Sequence, residues 1–154
     1  METPRLDYAF QIRIDIDQRL RYGPTPSGTE RGFVRLAGGE VSGPRLNGTI
    51  LPHTGGDWMT YLPDGSVSFD ARYLIKADNG DIIEITNRGY RHGSPEVMQK
   101  MANLESVDPS AFYMRLAPRF DAPDGPHKWL TRTIFVGSAI RGQKQSTFHY
   151  WAVM

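Results

Sequence analysis

No cysteine occurs among the 154 residues. Its absence removes a disulfide framework, a thiolate nucleophile and any thiolate metal site, and suits a reducing compartment. Charge of one sign is lacking too. The 18 Lys and Arg against 17 Asp and Glu leave a formal net charge of +1, so no bulk field draws the chain to nucleic acid or to an anionic membrane. No apolar run approaches the roughly 18 residues of a membrane-spanning helix, and the first thirty residues lack the basic start and apolar stretch of a secretory signal. The histidines, His53, His92, His127 and His149, have none of the spacings that place imidazoles on one metal ion. There is no G-x-S-x-G elbow, phosphate-binding P-loop or dinucleotide fingerprint, and the glycines between Arg35 and Gly48 sit in a β context with no helix to receive a phosphate. The expectation is a soluble cytoplasmic protein without metal or nucleotide cofactor and without nucleic acid or membrane as partner. The length predicts a single domain over residues 1–154 around one sizeable core.

What the sequence does have is alternation at period two. Tyr8, Phe10, Ile12, Ile14 and Ile16 fall on one face of an extended chain, with Asp7, Gln11, Arg13, Asp15 and Asp17 on the other. That is the pattern of a strand with one buried side. After the turn-rich segment Gly23-Pro24-Thr25-Pro26-Ser27-Gly28 come β-like runs at Gly32 to Ala37, Glu40 to Leu51, Ser66 to Ala77, Asp81 to Arg88, Ala111 to Phe120, Trp129 to Arg141 and Ser146 to Met154. Gly and Pro clusters punctuate them, among them Gly38-Gly39 and Pro52 to Gly56. Asp78-Asn79-Gly80 is the clearest hairpin signal, because Asn and Gly tolerate left-handed backbone. Only one segment reads as a helix. Ser94 can cap free amides, Pro95 is preorganised for the first turn, Glu96 complements the dipole, and Val97, Met98, Met101 and Leu104 form a stripe. The spacing predicts a helix over 95–104. About eight or nine short strands with one helix imply an all-β antiparallel barrel or sandwich.

Several strands carry polar residues on a whole face. Asp70, Arg72, Leu74 and Lys76 oppose Phe69, Ala71, Tyr73 and Ile75; Ile82, Glu84, Thr86 and Arg88 oppose Ile83 and Ile85; Tyr113, Arg115, Ala117 and Arg119 oppose Phe112, Met114 and Leu116. One reading is the solvent side of a barrel. The other is a polar lumen, in which Arg paired with carboxylates presents donors to a bound anion or carbonyl. Alternation alone does not choose. Asp57-Trp58, after a Gly-rich turn, reads equally as a pocket acid beside a stacking platform or as an Asx-type turn with a core aromatic. Arg88, Arg91 and His92 stand where strand meets helix, a usual rim for functional groups and equally for solvated charge. Trp129 and Trp151 read as core.

A resemblance follows from these segments taken in order. Gly38-Gly39-Glu40-Val41-Ser42-Gly43-Pro44-Arg45-Leu46-Asn47-Gly48, Gly56-Asp57-Trp58, Asp70-Ala71-Arg72-Tyr73, Asn87-Arg88-Gly89-Tyr90-Arg91-His92-Gly93, Tyr113-Met114-Arg115, Pro118-Arg119-Phe120, Trp129-Leu130-Thr131-Arg132 and Phe135-Val136-Gly137 together resemble the domain-of-unknown-function 3237 family, also called uncharacterised protein family 0311. The resemblance runs from about Tyr8 to the last strand. It implies a single antiparallel, lipocalin-like or calycin-like β-barrel whose shared polar positions cluster toward one cavity. Carried across residue by residue, those positions are Asp57, Trp58, Arg72, Tyr73, Arg88, Arg91, Arg115 and Trp129. Two departures border that expected pocket: a longer segment from Pro52 to Gly56, and Thr131 where the family often has Asn.

The function expected is a cofactor-independent isomerase, cyclase or lyase acting on a small aromatic or carbonyl-containing compound in the barrel cavity. Asp57, Arg88, Tyr113 and Arg115 are its candidate catalytic residues: Asp57 or Tyr113 moves a proton while the arginines steady an enolate or phenolate. Trp58, Arg72, Tyr73, Arg91 and Trp129 are its candidate substrate-binding residues. The alternative is a non-catalytic barrel that holds a small ligand in the same cavity. A third reading is an interaction module whose exposed strand edges pair into a homo-oligomer or with another protein.

Overall fold

Alternation at period two is carried through nine strands, and their pairing closes a ring. The computed structural model describes residues 1–154. Its elements are β1 (Leu6–Tyr22), β2 (Glu30–Ser42), β3 (Gly48–Ile50), β4 (Gly56–Tyr61), β5 (Val67–Ala77), β6 (Ile82–Gly93), α1 (Pro95–Ala102), β7 (Phe112–Asp121), β8 (Ile134–Ile140) and β9 (Gln145–Val153). Strands β1, β9, β8, β7, β6 and β5 neighbour one another in that order, and β4 and β2 complete the circle back to β1. The result is a closed eight-stranded antiparallel barrel with one extra strand and one helix, a barrel and not a sandwich. The extra strand has a geometric reason: β3 and β4 fill the same gap between β2 and β5 at two heights. Glu30 to Arg35 pair with β4 and Gly39 to Val41 with β3, and β5 divides in the same way.

The expected boundaries hold at some points and shift at others. Ser94 accepts a hydrogen bond from the Val97 N–H and Pro95 opens α1, which stops at Ala102, short of the expected residue 104. The Asp78-Asn79-Gly80 loop does join β5 to β6, with Gly80 at φ 92°. Gly38 and Gly39, expected to separate two runs, lie inside β2 opposite Asp15 and Ile14. They are needed where β1 and β2 slip register: Gly39 has φ 155°, and a methyl there would stand 2.1 Å from the Arg13 carbonyl oxygen. The run from Glu40 to Leu51 is broken by a turn in which Asn47 both donates to the Gly43 carbonyl at 3.0 Å and accepts from its N–H at 3.1 Å. The run from Trp129 begins instead as a 3₁₀ turn over Lys128–Arg132.

The two ends of the barrel differ. One is plugged by aromatic packing: Phe10 meets Phe120 at 5.8 Å, Phe135 at 6.0 Å and Tyr150 at 5.6 Å between ring centroids, and Trp129 covers Phe135 at 5.5 Å. Offset and edge contacts of this kind add to the area term that large buried rings already bring. The other end lies beneath α1 and the β8–β9 hairpin. There Arg141 donates to the Met101 carbonyl at 2.6 Å and Gln143 to the Leu104 carbonyl at 3.1 Å, tying hairpin to helix.

Candidate functional site

The hydrogen-bond register turns alternate residues of each strand inward, and a few of these are polar. Asp57 on β4 stands opposite Val34 and Ala71, and Ala71 in turn opposite Asn87 on β6. Tyr73 lies one inward step further toward the aromatic plug. Arg91, opposite Val67 and Met114, lies toward the helix-covered end. With Arg19, Arg141 and Ser146 they line an internal cavity of about 60 Å³ whose remaining wall is apolar, including Ile14, Val34, Met59, Phe69 and Leu116.

Polar groups in this lumen are under-partnered. Asp57 Oδ1, the Tyr73 hydroxyl, Asn87 Oδ1 and Arg91 Nε are buried without a hydrogen-bond partner. Buried polar atoms are satisfied in the great majority of cases, and these four belong to residues that line one cavity. Desolvation pushes the Asp57 carboxyl up to about 7; a hydrogen bond from the Asp70 backbone and the charge of Arg91 offset only part of it. Burial also holds the Tyr73 phenol above its ordinary range. Arg91, only 4% exposed, is pushed down to about 10 by burial and then by the like charge of Arg141; it stays cationic at neutral pH. Asn87 spans the lumen to donate to the Tyr150 hydroxyl at 2.7 Å. No three His, Asp or Glu side chains come together as a metal-ligand set.

Of the nine residues expected at the site, Asp57, Tyr73 and Arg91 line this cavity. The expectation that the strand arginines join them is corrected by register. Inward parity runs through Phe69, Ala71 and Tyr73, through Asn87 and Arg91, and through Met114 and Leu116, so the intervening residues face out. Arg88 is 71% exposed and pairs with Asp70 at 3.2 Å. Arg72 pairs with Glu84 at 2.9 Å on the same outer face. Tyr113 stacks on His92 at 4.8 Å, Arg115 donates to the Met114 carbonyl at 2.8 Å, and Trp58 leans on Phe33 at 4.7 Å. Trp58, Arg88, Tyr113 and Arg115 do gather, with Arg31 and Tyr90, along a shallow outer depression of about 600 Å³. Trp129 sits at the plugged end beneath the Arg45 guanidinium, 3.7 Å away. Neither the segment from Pro52 to Gly56 nor Thr131 borders the cavity.

Sequence reading missed Arg19, Asn87, Arg141 and Ser146. Asn87 was within reach, since it continues the inward series Ile83, Ile85. Arg19 was not: a register slip between Ile16 and Gln18 inverts the alternation of β1, turning Arg19 inward and leaving Gln18 exposed.

Comparison with known proteins gives the same picture of fold and no activity. The sequence profile of a family described as "Protein of unknown function (DUF3237)" matches residues 4–153. A UPF0311 protein of Clostridium acetobutylicum is 36% identical over 132 residues, covering 86% of this chain and 83% of that one. The crystal structure of a conserved protein of unknown function from Rhodopseudomonas palustris superposes with a TM-score of 0.94 at 30% identity over the full length of both chains. A structure described as an enzyme from Penicillium herquei shares the fold with a TM-score of 0.74 at 21% identity, covering 100% of this chain and 97% of that one. No helix is long and apolar enough to cross a membrane.

Proposed function

The chain belongs to the DUF3237 family, and since that family is one of unknown function we propose an activity from the lumen: a cofactor-independent isomerase, cyclase or lyase acting on a small carbonyl compound. One observation carries the reading. A carboxyl pushed up to about 7 has a buried, unpartnered oxygen in the same cavity as the unpartnered Nε of a buried arginine. A proton carrier works best when its pKa lies near the operating pH, and a fixed donor in a dry site stabilises developing negative charge far better than water does. In the proposed chemistry ionised Asp57 takes the proton from the carbon beside a carbonyl. The electron pair moves onto the carbonyl oxygen, where Arg91 donates to the enolate. Asp57 then returns the proton to a different carbon, giving isomerisation, or the enolate collapses with loss of a leaving group, giving elimination. Tyr73, kept neutral by burial, is a second donor.

The cavity size supports a compact carbonyl compound over an extended aromatic one, because drug-sized ligands occupy pockets of roughly 300–1,000 Å³ and this one is about 60 Å³. Arg88, Tyr113 and Arg115 have no step in this scheme. A Cys-free chain fits a cytoplasmic setting.

The test is a panel of small keto acids, hydroxy acids and enones incubated with protein in deuterated water and followed by NMR and mass spectrometry. Deuterium entering the carbon beside the carbonyl, or formation of an isomer or elimination product, with loss of both in Asp57→Asn, is expected. Retention of a compound that never exchanges or changes mass would establish the alternative, a ligand-binding barrel.

A further inference from the structure

Six arginines on the outside of this barrel are ion-paired, and the three that line the lumen are not. Arg5, Arg13, Arg21, Arg35, Arg72 and Arg88 each sit within ion-pair distance of a carboxylate, all at exposed or partly exposed positions, where such pairs contribute little. The lumen holds Arg19, Arg91 and Arg141, and none of them joins an ion pair. Burial is where an unmatched guanidinium is most costly.

The contacts these three do make hold them in place without cancelling their charge. Arg141 donates to the Met101 carbonyl at 2.6 Å, and Arg19 to the Gly142 carbonyl at 3.1 Å and to that of Gln143. These acceptors belong to the last turn of α1 and to the β8–β9 hairpin, so both guanidiniums are fastened at the covered end of the barrel. Arg91 lies just below them over the Phe69 ring, 5.4 Å from its centroid. Asp57, the only carboxylate lining the cavity, lies deeper, four residues further along β5 by register. The lumen is therefore polarised along its axis: cationic at the helix-covered end, proton-carrying in the middle, apolar at the plug.

We infer that the compound bound here is a small carboxylic acid, its carboxylate held between Arg19 and Arg141, with Arg91 reaching both the carboxylate and the neighbouring carbonyl oxygen and the carbon beside that carbonyl directed toward Asp57. This rests on the proposed chemistry for the role of Asp57, and on the arginines alone for the anion. Guanidinium forks match the two oxygens of a carboxylate. A phosphate dianion fits less well, because the helix end that meets the site is the C-terminal, carbonyl-bearing end, whose partial charge opposes a high negative charge.

Binding of pyruvate and acetoacetate, of their neutral counterparts pyruvamide and acetoacetamide, and of inorganic phosphate to the full chain is measured by calorimetry and thermal shift. The carboxylates are expected to bind about tenfold or more tighter than the amides, given the strength of charge-assisted bonds. Arg91→Met and Arg141→Gln should each lose that preference, Arg91→Lys should keep part of it, and Asp57→Asn should bind at least as tightly as the wild type. If Arg91→Met does not fold, Arg141→Gln, at a half-buried position, decides. Equal binding of acids and amides, no binding of any anion, or unchanged affinity in Arg141→Gln overturns the anion subsite; phosphate binding more tightly than either carboxylate replaces it with a phosphoryl site. The two readings fail separately. Arginine-dependent carboxylate binding without any deuterium exchange rejects the catalytic reading and keeps the subsite, whereas exchange in an uncharged ketone with no preference for acids does the reverse.

Discussion

Asp57 and Arg91 face one cavity without forming an ion pair, and each leaves a buried polar atom without a partner. Opposite charges buried in one lumen offset more of their desolvation when they are packed together. Here the separation keeps the carboxyl near neutrality in pKa and the guanidinium free to donate, and the fold pays for this in stability.

That penalty depends on pH, and its sign is fixed. Asp57 goes from an ordinary value of 3.8 to about 7 on folding, so below the lower value it is protonated in both states and contributes nothing adverse. As pH rises from about 4 to 7 the unfolded chain ionises first and stability is lost, by roughly 2–4 kcal/mol at most. Denaturant unfolding of wild type and Asp57→Asn across this range should show the variant gaining stability relative to wild type as pH rises. A difference that does not change with pH would mean that Asp57 is not held buried in the lumen.

The bond from Asn87 to the Tyr150 hydroxyl crosses the barrel interior at 2.7 Å, with both residues buried. Tyr150→Phe leaves the Asn87 amide without an acceptor and should cost about 1–3 kcal/mol, since an orphaned buried donor bears its full desolvation penalty. Removing both partners, in Asn87→Leu with Tyr150→Phe, should cost less than the sum of the two single changes. Additive losses in thermal unfolding would show that the two groups are not coupled.

How much of this was legible in the sequence follows from strand physics. Period two in Tyr8 to Ile16 and in Phe69 to Ile75 announced half-buried strands, and the Ser94-Pro95 start and the Asn79-Gly80 turn carry chemistry that acts locally. The short strand Gly56–Tyr61 was not announced, because six residues beginning with Gly and Asp show too little alternation. The resemblance grouped Asp57, Tyr73 and Arg91 with Arg72, Arg88 and Arg115, but which face a residue takes depends on register with the neighbouring strand. Arg88 and Arg91 are three apart in one strand and therefore on opposite sides of the barrel wall.

The outer arginines give a contrast. Arg88→Met and Arg115→Met remove solvated charges whose partners stay hydrated, so unfolding midpoints should correspond to changes within about 0.5 kcal/mol. Deuterium exchange by the lumen should persist in both. Loss of exchange in either folded variant would move the active site to the outer depression beside Trp58 and Tyr113.

Turnover and stability should respond to pH in opposite directions through the same carboxyl. Proton abstraction needs ionised Asp57, so exchange measured at low substrate should climb about tenfold per pH unit below 7 and level off above it. That is the interval in which ionisation of the same group weakens the fold. Arg91 stays charged throughout, since its value of about 10 lies above the plateau. Replacing it with Lys should leave the midpoint of the pH profile near 7 while lowering the plateau, because the charge beside Asp57 is kept and the planar donor fork is lost. Replacing it with Met removes a cation that favours the Asp57 carboxylate, and the midpoint should rise. A profile of the opposite slope, falling through pH 7, would mean that Asp57 acts first as an acid, with protonation of the substrate preceding any loss of its carbon-bound hydrogen.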